Sequence, residues 1–136
     1  MIFATYLNAG VKSVSVIELD KLLKLGVKII DIRKPNDLVK TGVIPNSYRL
    51  NFYNKNGKIN RAKWMNTFVR LIKGNRIKFV LISTNGENAK LGANLLHDLK
   101  GYKNPYYLEG GINSWIHYKK KLVKIKIKGF KWKKYY

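Results

Sequence analysis

The chain has 136 residues, with 28 Lys and Arg against 7 Asp and Glu, which gives a formal net charge of +21. This length fits one domain with a buried core, and no apolar run approaches the ~20 residues needed to span a bilayer. The absence of cysteine excludes disulfides, thiolate metal sites and a cysteine nucleophile within this sequence. The charge excess predicts attraction to a polyanion, either nucleic acid, anionic lipid or an acidic protein.

The N-terminal stretch 1–10 lacks the basic region and the full apolar region of a complete signal peptide. A cytoplasmic location is favoured, and export with a signal peptide already removed is the alternative. We divide the chain into an N-terminal extension at 1–13, one domain at 14–123 and a basic, aromatic tail at 124–136. The oligomeric state is left open.

The first predicted helix begins at Ser15, because Ser15 and Glu18 have the spacing of a capping box. Its predicted apolar side carries Ile17, Leu22 and Leu25, and it ends at a glycine. We predict no metal site and no cofactor, since the only two histidines, at positions 97 and 117, lie far apart in the sequence.

Strands and helices then alternate along the rest of the chain. Residues 27–33 form a β-branched run that turns polar at its end, as a buried parallel strand does. Residues 61–74 have the spacing of an amphipathic helix, and two further strands, near 77–83 and 105–108, each precede a helix. This order predicts a three-layer α/β/α domain with a mainly parallel central sheet. Ligands gather at the carboxyl ends of such strands, where Asp31, Arg33 and residues 83–89 are expected.

Three stretches, taken in order and spacing, resemble the signatures of the rhodanese-like domain family. They read VKIIDIRKPNDLVKTGVIPNSYRLNF, FVLISTNGENAKLGANLL and YYLEGGINSW. The resemblance implies a single-domain sulfurtransferase fold. In active members a loop cysteine carries sulfane sulfur from a donor such as thiosulfate to a thiophilic acceptor. Backbone N–H groups at a helix N-terminus stabilise its thiolate.

The resemblance places the active-site loop on Ser83, Thr84, Asn85, Gly86, Glu87, Asn88 and Ala89. Ser83 takes the nucleophile's place, and Asn88 takes the place where the family often has an arginine. Val43 stands where a histidine usually follows the glycine of the first signature. A serine hydroxyl cannot form a persulfide, and it stays protonated without a positioned base. The nearest candidate base in the sequence is Glu87.

Three functions remain open on this basis. The first is a binding or interaction module that cannot transfer sulfur. The second is a thiosulfate-type sulfurtransferase seen as a Cys-to-Ser variant, and the third is a polyanion-binding protein on the same scaffold. For the loop itself a structural turn is favoured over a small-anion site, and a serine hydrolase comes last. Asp31 and Arg33 are expected to tie loops together around the site rather than to act as acid and base.

The C-terminal stretch 119–136, KKKLVKIKIKGFKWKKYY, is rich in lysine and contains no acid. Residues 123–128 alternate between apolar and cationic, which predicts an edge strand. Beyond them, Lys131, Trp132, Lys133 and Lys134 interleave cations with an aromatic ring. That composition predicts contact with nucleic acid, an anionic membrane surface or an acidic protein.

Overall fold

In the computed structural model, residues 10–126 and the pair 133–134 are described. Within these residues, five helices and six strands follow one another. They are β1 (Lys12–Val14), α1 (Val16–Lys24), β2 (Lys28–Asp31), α2 (Pro35–Thr41), β3 (Tyr48–Arg49), α3 (Arg61–Leu71), β4 (Phe79–Ile82), α4 (Glu87–Lys100), β5 (Pro105–Leu108), α5 (Gly111–His117) and β6 (Lys133–Lys134). Within this part of the chain, no helix is both long and apolar enough to cross a bilayer.

The strands form one sheet in the order β1-β5-β4-β2-β3-β6. All neighbouring pairs are parallel except the last, in which β6 runs antiparallel to β3. The central strands are β4 and β2, and their carboxyl ends lie side by side because Asp31 pairs with Ile82. The mainly parallel α/β sheet predicted from the sequence is therefore confirmed.

Each face of the sheet is covered by its own hydrophobic cluster. On one face, α3 and α4 pack over alternate strand residues such as Ile30 and Leu81. On the other face, α1 and α5 pack over the intervening residues, such as Ile29 and Ile82. Successive strand side chains point to opposite faces, so a four-residue strand that is buried throughout, as β4 is, must be covered on both sides. The three-layer architecture follows from that burial.

The N-terminal capping box is confirmed, whereas of the apolar side predicted for α1 only Leu22 packs against the core. The Ser15 hydroxyl accepts the Glu18 N–H, and the Glu18 carboxylate accepts the Ser15 N–H. The helix buries Val16 and Leu19, whereas Ile17 is 63% exposed and Leu25 is 78% exposed. Apolar residues occur on several sides of this short helix, and packing against the sheet selects the side that includes Leu19.

The edge strand predicted at 123–128 is wrong over residues 123–126, the part of it that the structure describes. Val123 makes an isolated antiparallel bridge with Val43, and residues 124–126 lie outside any strand. The edge of β3 pairs instead with Lys133–Lys134, so that edge is already occupied. The predicted contact residues Lys131 and Trp132, together with 127–130, lie outside the described residues.

Candidate active site

The loop that resembles a sulfurtransferase site joins β4 to α4 at the carboxyl end of the central strands. Ser83 is only 4% exposed there. Its Oγ accepts the backbone N–H of Gly86 and that of Ala89, each at 3.1 Å. Two N–H groups of the loop therefore converge on an oxygen that belongs to the loop itself.

Ser83 also supplies the capping interaction that α4 lacks at its own N-cap. That N-cap is Gly86, in the left-handed region at φ 95°, and it has no side chain to accept a hydrogen bond. The Ala89 N–H is one of the first N–H groups of the helix, which have no partner within the helix. A side-chain oxygen at the N-cap ordinarily accepts such a group. Here the oxygen comes from three residues before the N-cap.

No general base is positioned for Ser83 among residues 10–126. Glu87 is exposed in the first turn of α4, and its N–H is accepted by the Asn85 side chain. The hydrogen bonds of the Ser83 hydroxyl there are both with backbone N–H groups. The arrangement holds the serine in place but does not activate it as a nucleophile.

The Gly-Gly turn of the closing signature fixes the backbone of this loop. The first turn of α5 donates two hydrogen bonds to it, from Ile112 N–H to the Ser83 carbonyl at 2.8 Å and from Asn113 N–H to the Thr84 carbonyl at 3.1 Å. Gly111 makes this approach feasible at φ 62°. A Cβ atom there would lie 2.3 Å from the Ser83 carbonyl oxygen.

Asp31 and Arg33 form a buried, bidentate ion pair beside the loop. The Arg33 Nη2 atom lies 2.7 Å from Asp31 Oδ2, and Nε lies 2.9 Å from Oδ1. The guanidinium also donates to the Thr41 hydroxyl and to the Gly42 carbonyl, so it joins the end of β2 to the end of α2. Burial raises the pKa of Asp31, while the hydrogen bonds and charge of Arg33 offset part of that rise.

A cavity of about 180 Å³ opens above the loop. Its lining residues come from the segments that follow β2, β3 and β4 and from the first turns of α2 and α4, and they are Ile32, Arg33, Asp37, Tyr53, Ser83, Thr84, Asn85, Glu87 and Asn88. The carboxylates of Asp37 and Glu87 contribute negative charge, while Arg33 is already neutralised by its ion pair. Among the lining residues the negative charges therefore outnumber the positive ones, which disfavours an anion in contact with them.

Tyr53 and Lys34 are parts of this site that the sequence did not single out. The Asn88 side-chain amide donates to the Tyr53 hydroxyl, and the Lys34 ammonium lies 4.7 Å from the centre of the Tyr53 ring. Burial raises the pKa of Tyr53 above its ordinary value. A signal was available, because Lys34 follows closely after β2 and Tyr53 after β3, where parallel sheets bring ligand-binding residues together.

Comparison with known proteins places this geometry in a family. The family model of the rhodanese-like domain matches residues 15–118, whereas a comparison with curated proteins found no match. A rhodanese-related protein from Thermoplasma volcanium is 22% identical with a TM-score of 0.63, over 84% of this chain and 99% of that one. The polysulfide-sulfur transferase of Wolinella succinogenes is 21% identical with a TM-score of 0.65, over 90% and 89%.

A third solved structure, the rhodanese-like domain of an Anabaena protein, is 14% identical with a TM-score of 0.64, over 83% of this chain and 79% of that one. At such identities the three structures show a common fold and nothing finer. The family match covers most of the chain, and it includes the loop at Ser83 and the Gly-Gly turn that holds it. This chain belongs to the rhodanese-like domain family.

Proposed function

We propose that this protein is a rhodanese-like domain that does not transfer sulfur as its sequence stands and that works as a binding or interaction module. One observation carries the proposal. The Ser83 oxygen is buried and accepts two of the loop's backbone N–H groups. Those donors, which in an active member would stabilise a thiolate and its persulfide, here stabilise a neutral hydroxyl and cap a helix.

The chemistry of sulfur transfer explains why this substitution matters. A thiolate attacks the sulfane sulfur of thiosulfate, the donor S–S bond breaks, and sulfite leaves with the electron pair. An acceptor such as cyanide then removes the sulfur as thiocyanate and restores the thiolate. Oxygen forms no persulfide, and serine is not deprotonated near neutral pH without a base. The whole sequence contains no cysteine that could substitute.

A thiosulfate-to-cyanide assay tests this proposal on three proteins, namely the chain as it is, Ser83→Cys and Ser83→Ala. We expect no thiocyanate above the blank from the present chain or from Ser83→Ala. Turnover by the present chain, absent from Ser83→Ala, would refute the proposal directly.

The Ser83→Cys protein separates natural divergence from the alternative of a sulfurtransferase seen as a Cys-to-Ser variant. The alternative expects full turnover from this single change. We expect the new thiol to react with iodoacetamide but to turn thiosulfate over poorly, because the cavity presents the carboxylates of Asp37 and Glu87 to a dianion. Rapid thiocyanate formation by Ser83→Cys would favour the alternative.

For the loop itself we propose a structural strand-to-helix turn at 83–89 in preference to a small-anion site. The support is that the Gly86 and Ala89 N–H groups already have an acceptor. Titration with sulfate or thiosulfate, followed through the amide signals of Gly86 and Ala89, tests this assignment. Saturable shifts at low millimolar anion would contradict it.

The charge of the chain supports a second candidate, the binding of a polyanion such as nucleic acid. The net charge of +21 remains after every Asp and Glu has been counted against the 28 Lys and Arg, and within residues 10–126 the lysines that form ion pairs are Lys24 and Lys120, both with Asp20. Purely electrostatic binding of this kind weakens steeply as salt rises and ignores base sequence.

Labelled single-stranded DNA, titrated at two salt concentrations, tests the part of this proposal that concerns Lys131, Trp132, Lys133 and Lys134. Two triple variants each remove three charges. One carries Lys131→Gln, Lys133→Gln and Lys134→Gln, and the other carries Lys12→Gln, Lys21→Gln and Lys73→Gln. We expect the first to lose clearly more affinity than the second. Equal losses would mean that net charge, and not the tail, accounts for the binding.

A further inference from the structure

A second and larger cleft lies between the segment after β3 and helix α3. Its volume is about 480 Å³, which falls within the roughly 300–1,000 Å³ typical of small-molecule sites. It shares Arg33 and Tyr53 with the cavity above the loop, but none of residues 83–89 lines it. We call it the α3 cleft. Nothing in the sulfur chemistry of the loop accounts for it.

The inner wall of the α3 cleft is apolar. Leu38, Phe52 and Trp64 line it and are each less than 5% exposed. The Phe52 and Trp64 rings meet edge to face, with centroids 4.7 Å apart. The Trp64 N–H is already committed to the Leu50 carbonyl at 3.2 Å. These side chains therefore close the base of the cleft and offer no free indole donor, and the half-buried Pro35 and Tyr53 present more of its apolar surface to an occupant.

The charged residues that line the α3 cleft are all positive. Lys55 and Lys63 are exposed at its rim, buried Arg49 lies in its wall, and the lining includes no Asp or Glu. Arg33 also reaches it, although Asp31 neutralises that charge. This is the reverse of the cavity above Ser83, where two carboxylates are present. The electrostatic potential of the α3 cleft therefore favours an anion.

Three asparagines of the lining add neutral donors to these cations. Backbone N–H groups of neighbouring residues donate to the side-chain oxygen of each one, from Tyr53 to Asn51, from Lys58 to Asn54 and from Lys63 to Asn60. Their side-chain NH2 groups take part in no hydrogen bond recorded within residues 10–126. Because an NH2 group can only donate, these asparagines add donors to the cations of the lining, and both kinds of group suit an oxyanion.

We propose that the α3 cleft binds a small organic anion, with an apolar or aromatic body against Phe52 and Trp64 and an oxyanion near Lys55 and Lys63. The oxyanion is a carboxylate or a phosphate, since both accept hydrogen bonds from ammonium and amide donors. The body is one or two rings in size, given the volume of the cleft. The site is independent of Ser83, so its occupation does not depend on whether the domain transfers sulfur.

Calorimetric titration of the full chain at low salt tests this proposal with four probes. 2-Naphthoate and 2-naphthyl phosphate carry the two oxyanions on one body, 2-naphthol is the uncharged counterpart, and inorganic phosphate lacks the body. We expect one-to-one binding of 2-naphthoate, 2-naphthyl phosphate or both. The one that binds more tightly shows whether the site prefers a carboxylate or a phosphate. 2-Naphthol and inorganic phosphate should each bind at least about tenfold more weakly than that anion, because the first lacks the oxyanion and the second lacks the apolar body. A neutral probe that binds equally well would overturn the proposal.

A matched pair of double variants then locates the binding. Lys55→Gln with Lys63→Gln removes the two rim charges and should weaken the naphthyl anion about tenfold. Lys73→Gln with Lys103→Gln removes two exposed charges outside the cleft and should change the affinity by less than about twofold. Ser83→Cys should leave it unchanged. Equal losses in the two double variants would show that the general positive charge attracts the probe, and the proposed site would then be wrong.

Discussion

Replacing Ser83 by alanine should destabilise this domain, although the family resemblance places the residue at the position of a catalytic nucleophile. The change removes one oxygen atom and leaves the backbone N–H groups of Gly86 and Ala89 without their acceptor. Both residues are buried, so water cannot readily replace the lost partner. The perturbation therefore tests whether the hydroxyl has a structural role.

The expected magnitude follows from the two hydrogen bonds. Loss of a helix cap costs about 0.5–2 kcal/mol, and a buried donor left without a partner costs about 1–3 kcal/mol. The two costs overlap at the Ala89 N–H, so we expect the free energy of unfolding to fall by about 2–4 kcal/mol. With an m-value of about 2 kcal/mol/M in urea, the unfolding midpoint moves down by about 1–2 M.

Ser47→Ala provides a matched control. Ser47 is 1% exposed, and its Oγ has no hydrogen-bond partner among the described residues. The same atom is removed from an equally buried place, but no donor loses its acceptor, so we expect a change within about 0.5 kcal/mol, or a small gain. Urea unfolding measures both variants, and faster amide exchange at Gly86 and Ala89 in Ser83→Ala locates the effect. If Ser83→Ala loses no more stability than Ser47→Ala, the capping role is refuted.

Two further predictions concern the Gly-Gly turn and a buried phenol. Gly111→Ala should lower the free energy of unfolding by about 2–5 kcal/mol, because of left-handed backbone strain and a Cβ forced against the Ser83 carbonyl. Gly101→Ala is the control, since at φ 71° it has the same backbone strain but an added Cβ would have no neighbour within 4 Å outside the adjoining residues. An equal loss of stability in both variants would contradict the steric argument. Burial raises the pKa of Tyr102, whose hydroxyl donates to the Ile72 carbonyl. The neutral phenol therefore stabilises the folded state fully below the ordinary tyrosine pKa of about 10, and this stabilisation is lost as pH rises through the higher pKa of the folded state. Unfolding measured from pH 8 to 11 should therefore show a steeper alkaline loss for the unaltered chain than for Tyr102→Phe, and parallel curves would refute this.

The sequence predicted most where a few adjacent residues determine the structure. Ser15 and Glu18 specify a helix start locally, and that start is confirmed. The apolar side predicted for α1 was wrong at Ile17 and Leu25, because Ile17 and Leu19 are both apolar and only packing against the sheet decides which of them is covered. The strand at 123–128 failed for a similar reason. Alternation of apolar and cationic residues indicates a strand, but it does not show which strand of the sheet it would pair with. The edge strand β3 pairs with Lys133–Lys134 instead.

The site was predicted in part. The loop was placed from three signatures in register, and the family match at residues 15–118 covers all three. The capping role of Ser83 was not predicted, because Ser83 and Ala89 lie six residues apart, outside the usual capping spacing. The α3 cleft was missed because its cations and its apolar wall come from separate elements, and no short motif joins them.

The hydrogen bonds between α5 and the loop have a consequence for how this domain can change over time. They run from backbone to backbone, from the N–H groups of Ile112 and Asn113 to the carbonyls of Ser83 and Thr84. Such bonds do not depend on the identity of the side chains at 83 and 84. The side chain at position 83 can therefore change during evolution while these two hydrogen bonds keep the backbone of the loop in place. By the same reasoning, a rhodanese-like domain can lose the residue needed for sulfur transfer and still keep its fold.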